Sequence, residues 1–270
     1  MQPTVNLFDV TITLWPIFAL SGAFICWLFI YPRSQALGYD WSAILNLLIY
    51  SIPAGFVGAF VTNWIVFELL DRTFTLSVSM GTTVTGSIIS CFLFGYYYCK
   101  HLLKINPLQF LDAIAFSFPL SILVGRIGCL FAGCCYGDTA SDDNWLTLLV
   151  GDYAVSSPAH QHYLEYGLLQ HDLVWNLPAI LIINNLATLV ICEVIYRNRH
   201  RWRLPTGFTV MSTLLVYSLL RLVTEQFRLD TELTWLAINP WQAILLMLLV
   251  FSVLSLIAIL TKAKTTKIIS

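Results

Sequence analysis

The chain has 270 residues, of which 58% are hydrophobic and only 11% are charged, and its formal net charge is −1. Soluble globular proteins carry about 25% charged residues, so this composition excludes a soluble enzyme, a secreted disulfide scaffold and a disordered tail. The apolar residues fall in blocks of about 20, the length that a helix needs to cross a hydrocarbon core of about 30 Å. We therefore predict an all-α, polytopic membrane protein.

Seven apolar blocks follow one another along the chain. Because backbone groups in lipid must be hydrogen-bonded internally, each block is predicted to be a helix. The first block has no basic run before it and no small-residue cleavage site after it, so we interpret it as a retained helix and not as a signal peptide. The blocks cover residues 11–31, 42–69, 74–99, 107–132, 173–196, 206–227 and 237–261, and we expect a single domain over residues 1–270.

Lysines and arginines are concentrated in alternate connections between these blocks. Ten of the fourteen fall in the first, third and fifth connections and in the C-terminal tail. By the positive-inside rule these segments are cytoplasmic, which places the N-terminus outside and the C-terminus in the cytoplasm. The fourth connection, residues 138–172, carries six acidic residues and no basic one. Since it exceeds the usual length of a connection, we predict an outer loop or a small head there.

Two arginines fall inside the apolar blocks. Arg126 lies about twenty residues into the fourth block and Arg221 about sixteen residues into the sixth, so both are expected in the outer half of the bilayer. An arginine at this depth is costly unless it is paired or lines a wet cavity. The alternative is that each side chain extends to the outer headgroups. Two arginines at matched depth favour a joint site.

The sixth block places further polar residues on the same helical face as its arginine. Arg221, Glu225 and Arg228 have the spacing i, i+4, i+7, and Tyr217 extends this face by one turn. Pairing with Glu225 would orient Arg221 toward a ligand. Because arginine binds phosphate in a bidentate manner, the pattern predicts a site for a phosphate group.

Four glycines accompany Arg126 along the fourth block and beyond it. They either allow a ligand or another backbone to approach closely or allow close packing of helices. The run from Cys129 to Gly137 also crosses into the outer connection, where an irregular turn could present N–H groups to an anion. The glycines are Gly125, Gly128, Gly133 and Gly137.

Three segments, GRIGCLFAGCCYG, YSLLRLVTEQFR and NPWQAILL, together resemble the prolipoprotein diacylglyceryl transferase family. The resemblance is to a cysteine-rich branch with the pattern GC-x-x-x-GCC-x-G. The matching positions are Gly125, Arg126, Gly128, Gly133 and Gly137 in the first segment, Tyr217, Arg221, Glu225 and Arg228 in the second, and Gln242 in the third.

The resemblance implies a multi-pass transferase of the bacterial cytoplasmic membrane. Such an enzyme moves the diacylglyceryl group of phosphatidylglycerol to the thiol of a prolipoprotein lipobox cysteine, or of another thiol acceptor, and releases glycerol phosphate. It implies no cofactor, no metal and no nucleic-acid partner. The implied catalytic residues are Arg126, Arg221 and Glu225, and the implied substrate-binding residues are Gly125, Gly128, Cys129, Gly133, Gly137, Tyr217 and Arg228.

The sequence departs from the family pattern at several polar positions. Cys129 and Ala132 stand in place of two asparagines, and Cys134 stands in place of an acid. The family histidine is absent from the third block. Because attack by a thiol needs a general base, His160 or His162 of the outer connection is a possible replacement.

The cysteine pattern leaves other interpretations open. Cys129, Cys134 and Cys135 could pin the turn by packing or by a disulfide bridge, act as reactive thiols, or ligate a metal. The first alternative function is accordingly an outward-facing thiol–disulfide membrane protein. The second is a non-catalytic, lipid-binding relative of the transferases.

Overall fold

The computed structural model describes residues 4–7, 10–70, 84–149, 151, 157–166, 172–228 and 240–269. Helices dominate this part of the chain. They are α1 (Leu14–Ala36), α2 (Trp41–Leu70), α3 (Val84–His101), α4 (Pro107–Ile114), α5 (Ser117–Ala132), α6 (Pro158–Tyr166), α7 (Leu177–Asn198), α8 (Phe208–Glu225) and α9 (Pro240–Ile269). The strands are β1 (Thr4–Leu7), β2 (Val10–Thr13), β3 (Thr139–Ala140), β4 (Thr147–Leu149) and β5 (Leu173–Trp175).

Five helical stretches of the described chain are long and apolar enough to cross a membrane. The predicted all-α, polytopic membrane class is therefore confirmed, whereas the count of seven spans and their orientation stay predictions, because α1 and α3 are not among the five. The stretches are Ile44–Ile65, Pro107–Ala132, Leu177–Asn198, Phe208–Glu225 and Gln242–Ala263.

The outer surfaces of these helices are apolar. Phe56 on α2 is 65% exposed and Met247 on α9 is 64% exposed, and both lie among further exposed aliphatic and aromatic residues. Contiguous apolar surface of this kind is rare on soluble monomers and marks an interaction surface. On a chain with these spans, lipid tails are the natural contact.

The fourth apolar block forms two helices rather than one. Helix α4 ends at Ile114 and α5 begins at Ser117, with Ala115 and Phe116 between them. The cause is Pro119, which donates no N–H and whose ring would clash with the carbonyl of the residue four positions earlier. That residue is Ala115, where the break occurs.

Two other blocks begin with strands instead of helix, which corrects their predicted bounds. Residues 11–13 belong to β2, which pairs with β1 in an antiparallel hairpin. Residues 173–175 form β5, and α7 begins only after Asn176, whose side chain accepts a hydrogen bond from the Ala179 N–H at 3.3 Å. The predicted residues 74–83 and 237–239 lie outside the described residues.

The helices pack in pairs around a buried centre. Helix α2 packs against α3, α1 against α5, α5 against α7, α7 against α8, and α8 against α9. The centre holds fully buried side chains such as Phe110 on α4 and Ile44 on α2. This order places α5 and α8, which carry the two membrane arginines, on either side of α7.

Helix α8 is capped by a carboxylate from another helix. Asp112 on α4 accepts hydrogen bonds from the N–H groups of Gly207 at 2.6 Å and Val210 at 2.8 Å. The first N–H groups of a helix have no intrahelical partner, and a negative charge there also complements the helix dipole. Asp112 therefore fixes where α8 starts.

The acidic connection after α5 forms a small head. Its strands make a three-stranded antiparallel sheet in the order β3-β5-β4, and α6 packs on it through Tyr163, which contacts the buried Val174. Within residues 138–172, the structure leaves residues 150, 152–156 and 167–171 undescribed. We call residues 138–172 the head.

The head and the basic segment 197–203 lie at opposite ends of α7. The Gly137 N–H donates to Trp175 O at 2.7 Å, just before α7 begins. At the far end, Glu193 pairs with Arg33 at 2.5 Å, and Arg33 also donates to Ala113 O. The positive-inside rule then favours a head outside the membrane.

We expect residues 138–172 outside and residues 197–203 in the cytoplasm, since only α7 separates them. Alkaline phosphatase, which is active outside, should report activity when fused after residue 149. Green fluorescent protein, which folds in the cytoplasm, should fluoresce when fused after residue 203. Placement of both segments on one side would contradict α7 as a span.

Removing the carboxylate cap should destabilise α8. Asp112→Ala leaves two buried N–H groups without their acceptor, so we expect a loss of about 1–3 kcal/mol in the free energy of unfolding. Asp112→Asn retains one acceptor oxygen and should lose less. Thermal unfolding in detergent measures both, and an unchanged melting temperature for Asp112→Ala would contradict the capping role.

Candidate functional site

A buried carboxylate joins two arginines at the end of α8. Glu225 has no exposed surface. One of its oxygens lies 2.7 Å from Arg221 Nη2 and the other lies 3.1 Å from Arg228 Nη1. A carboxylate without solvent needs such partners, because burying an isolated charge is very costly. The acid thereby holds both guanidinium groups in defined positions.

Two further residues complete this region. Tyr217 lies on α8 one turn before Arg221, and Arg126 lies on α5. Tyr217 is buried, its ring packs edge-on against Phe118 with centroids 4.7 Å apart, and it lies within electrostatic reach of both Arg126 and Arg221. The two guanidinium groups are close enough to repel each other. We call Arg126, Arg221, Glu225 and Arg228 the arginine cluster.

Arg126 differs from the other arginines in its partners. Its Nη1 lies 4.0 Å from Cys129 Sγ, and Cys135 is within electrostatic reach of it. No carboxylate among the described residues pairs with it. Three arginines and one glutamate give the cluster a formal charge of +2. A half-buried cation without a carboxylate is suited to bind an anionic ligand.

The end of α5 folds into a tight turn that gathers three thiols. Gly133 adopts the left-handed conformation at φ 64° and ends the helix, its N–H donating to Cys129 O. Cys135 is also left-handed, at φ 59°. The sulfurs of Cys129, Cys134 and Cys135 all lie within 4.8 Å of one another, and all three are free thiols. We call residues 129–135 the cysteine turn.

Cys135 is the most acidic thiol of this turn. Hydrogen bonds from the thiols of Cys129 and Cys134 hold the pKa of Cys135 well below its usual value, and the charges of Arg126 and Arg228 lower it further. The pKa of Cys134 is raised, chiefly by its hydrogen bond with Cys129. Of the three thiols, the exposed Cys135 therefore has the greatest tendency to ionise.

The glycines near the cluster have different surroundings. A Cβ on Gly128 would lie 2.7 Å from Phe18 Cβ, and a Cβ on Gly137 would lie 2.8 Å from Trp175 Cβ, whereas a Cβ on Gly125 meets nothing within 4 Å. The backbone of Gly137 also forms a β-bridge with Arg228. Gly128 and Gly137 therefore serve close packing, and Gly125 borders open space.

The sequence model of the family described as prolipoprotein diacylglyceryl transferase matches residues 3–261, nearly the whole chain. The chain belongs to this family. The family resemblance predicted from the three sequence segments is thereby confirmed.

Similar curated proteins carry the name phosphatidylglycerol–prolipoprotein diacylglyceryl transferase. The one from Clostridium tetani is 35% identical over 39% of this chain, but the matched part spans only 43% of that relative. The one from Symbiobacterium thermophilum is 24% identical, with coverage of 72% of this chain and 69% of the relative. The one from Streptococcus equi subsp. equi is 25% identical, with coverage of 81% and 79%.

Of the two candidate bases in this member of the prolipoprotein diacylglyceryl transferase family, the structure describes the side chain of His160 only. His160 on α6 packs against Tyr163 with ring centroids 5.4 Å apart, and its Nδ1 is buried without a hydrogen-bond partner among the described residues. No described contact joins it to the cluster. The side chain of His162 lies outside what the structure describes, so the role of both histidines stays a prediction.

Gln242, from the third matching segment, lies on α9. It lines a cleft of about 270 Å³ between α8 and α9. The cleft is mainly apolar, with one further amide from Gln226, and its other lining residues are Leu219, Leu222, Val223 and Leu246. The lining residues that belong to α8, Leu219, Leu222 and Val223, lie on a different face of this helix from the face that carries Arg221.

Sequence analysis missed two contributions to the site. Thr224 is buried and accepts a 3.5 Å contact from Arg221 Nη1, which no motif indicated. The sequence allowed a reactive thiol among Cys129, Cys134 and Cys135, but it did not predict which of them is the most acidic, because that depends on a left-handed turn. A signal for that turn was present, since a glycine after an apolar helix commonly ends it in the left-handed conformation.

The two helical glycines of the site should respond oppositely to alanine. Gly128→Ala forces α1 and α5 apart at Phe18, so we expect a loss of about 1–3 kcal/mol and a lower melting temperature in detergent. Gly125→Ala has open space and gains helix propensity of about 0.5–1 kcal/mol, so its melting temperature should hold or rise. Equal losses in both variants would contradict the assignment of packing to Gly128 alone.

Proposed function

We propose that this protein transfers the diacylglyceryl group of phosphatidylglycerol to the thiol of a prolipoprotein lipobox cysteine, at the outer face of a bacterial cytoplasmic membrane. The observation that carries the proposal is the arginine cluster, in which Arg126 has no carboxylate partner among the described residues while Arg221 is oriented by Glu225. The names of the relatives point to the same substrates.

The charge of the cluster suits the leaving group. In the proposed transfer, the acceptor sulfur attacks the glycerol carbon that is bonded to the phosphate oxygen, and this carbon–oxygen bond breaks. The lipid phosphodiester carries one negative charge, and the departing glycerol phosphate gains a second. Arg126 and Arg221 supply hydrogen-bond donors where this charge develops. Stabilisation of a developing charge by preorganised donors is usually the largest single contribution to catalysis.

Glu225 acts in this proposal as a positioning residue. It has no exposed surface and both of its oxygens face arginines, so it contacts no substrate. Its pairing removes rotational freedom from two long side chains before the lipid arrives. Because lost side-chain freedom opposes binding, this arrangement raises the affinity of the cluster for a phosphate.

The acceptor thiol must lose its proton during the transfer. The family histidine is absent, and His160 and His162 of the head are the candidates to replace it. The head is held close to the cysteine turn, since Tyr163 contacts Val174 and Tyr136 packs in the same group of residues. This link places α6 on the same side of the protein as the arginine cluster.

One observation favours a second function. Three free thiols lie within 4.8 Å of one another, and the pKa of the exposed Cys135 is lowered, as expected for a protein that exchanges thiols and disulfides. Such a protein would depend on the cysteines and not on Arg221. A lipid-binding relative without catalysis would instead bind the phospholipid and release no glycerol phosphate.

Replacing the arginines should abolish transfer. We expect Arg126→Ala and Arg221→Ala each to lose about 2–4 kcal/mol of transition-state stabilisation, or about 30- to 1,000-fold in rate, and Arg228→Ala to lose less. The assay supplies labelled phosphatidylglycerol and a lipobox peptide to the full chain in detergent, and it measures glycerol phosphate release and peptide labelling together.

Matched variants separate the three functions. Arg197→Ala removes an arginine that is 78% exposed at the opposite end of α7 and should leave the rate unchanged. Activity of Arg221→Ala within about threefold of the wild type would contradict the proposal. Thiol–disulfide exchange that is lost in Cys135→Ser and retained in Arg221→Ala would support the second function. Lipid binding without release of glycerol phosphate would support the non-catalytic alternative.

A further inference from the structure

The three thiols of the cysteine turn form a preformed group of soft ligands. Cys129 is buried in the last turn of α5, Cys134 is half-buried and Cys135 is exposed. Their sulfurs lie within 4.8 Å of one another, and no His, Asp or Glu belongs to this group among the described residues. The group therefore has one buried sulfur, that of Cys129, and one sulfur open to solvent, that of Cys135. The open side gives an ion a path to the group.

The backbone holds this group in place. Gly133 and Cys135 both adopt positive φ, and Gly133 N–H and Cys134 N–H both donate to Cys129 O, the latter at 3.2 Å. A left-handed non-glycine residue is uncommon and persists where the surrounding structure over-determines it. Here the turn holds the Cys134 thiol against Cys129 O at 3.7 Å and keeps the Cys135 sulfur within 4.8 Å of the other two sulfurs.

The spacing of the sulfurs suits one metal ion. With a metal–sulfur length of about 2.3 Å, a trigonal ion places its three sulfurs about 4.0 Å apart. The observed separations, at most 4.8 Å, require the sulfurs to close by less than about 1 Å. Side-chain rotation of the exposed Cys135 can supply this movement.

The donor set selects the kind of ion. Thiolates are soft ligands that favour Cu(I), zinc and iron–sulfur clusters, whereas Mg²⁺ and Ca²⁺ need oxygen ligands. Structural zinc sites and iron–sulfur clusters take four protein ligands, and the described residues supply three. Three sulfurs without a fourth ligand match Cu(I), which accepts trigonal coordination.

The neighbouring arginines suit the charge of the product. Three thiolates and one Cu(I) ion carry a charge of −2. Arg126 lies 4.0 Å from Cys129 Sγ, and both Arg126 and Arg228 act electrostatically on Cys135. These cations offset the negative charge that would otherwise oppose assembly of the site beside the membrane.

We propose that Cys129, Cys134 and Cys135 bind one Cu(I) ion as a trigonal trithiolate site at the end of α5. Binding forms three copper–sulfur bonds and releases the thiol protons to solvent, and no group changes its oxidation state. The site is distinct from the phosphate site in its ligands, although Arg126 borders both. The inference does not depend on the transferase activity.

The test is a Cu(I) titration of the full, reduced protein in detergent without oxygen, against a chromophoric Cu(I) chelator as competitor. We expect one Cu(I) per chain, a new ultraviolet thiolate-to-copper band and a higher melting temperature. Removing a residue that only supports a metal ligand already weakens metal binding by about tenfold or more. Cys135→Ser removes a ligand itself, so it should weaken binding by more than about tenfold. Cys129→Ser and Cys134→Ser should behave alike.

The matched control is Cys91→Ser on α3. This thiol is also free but donates to Ser51 O at 3.4 Å, away from the cysteine turn, so the variant should bind Cu(I) like the wild type. If Cys129→Ser fails to fold, the exposed Cys135→Ser still decides the test. Equal Cu(I) binding by Cys135→Ser, failure of the wild type to retain Cu(I) against the chelator, or tighter binding of Zn(II) than of Cu(I) would each overturn the proposal.

Discussion

The buried carboxylate of Glu225 is the constraint on which the membrane site depends. A charge with no exposed surface is tolerated only when partners and hydrogen bonds repay its lost hydration, and Glu225 has Arg221 at 2.7 Å and Arg228 at 3.1 Å. Arg228 also forms a backbone bridge with Gly137. One carboxylate thereby connects the end of α8 to the segment that leaves α5, and it fixes both arginines before any ligand binds.

The same helix is held by a second carboxylate at its other end. Asp112 accepts the N–H groups of Gly207 and Val210 at the start of α8, so α8 is fixed against α4 at one end and against the head at the other. Asp138 N–H donates to Phe227 O at 2.9 Å, which continues the connection into the small sheet. The arginine cluster thus lies on a helix whose position is determined at both ends, as a preorganised site requires.

Periodicity predicted part of this arrangement, and tertiary contacts determined the rest. The i, i+4, i+7 spacing placed Arg221, Glu225 and Arg228 on one face because that relation is local to α8. The break at Ala115 is local in the same way, since it follows from Pro119 four residues later. Which glycine packs closely depends on the helix opposite, so the sequence could not separate Gly125 from Gly128. The proximity of the three thiols depends on the turn after α5, and the strand at residues 173–175 depends on its partners β3 and β4.

Cys129 stands where the resembled family pattern has an asparagine, and it is a weak partner for Arg126. An amide would hold the guanidinium by a strong hydrogen bond, whereas the thiol contacts it at 4.0 Å, a weak interaction. Glu225 engages Arg221 and Arg228 but not Arg126 among the described ion pairs. Arg126 therefore retains most of its donors for an added anion. The proposed lipid phosphate and a thiolate at Cys135 both need that cation. The cysteine turn and the proposed phosphate site therefore share one positive charge and cannot each use it in full.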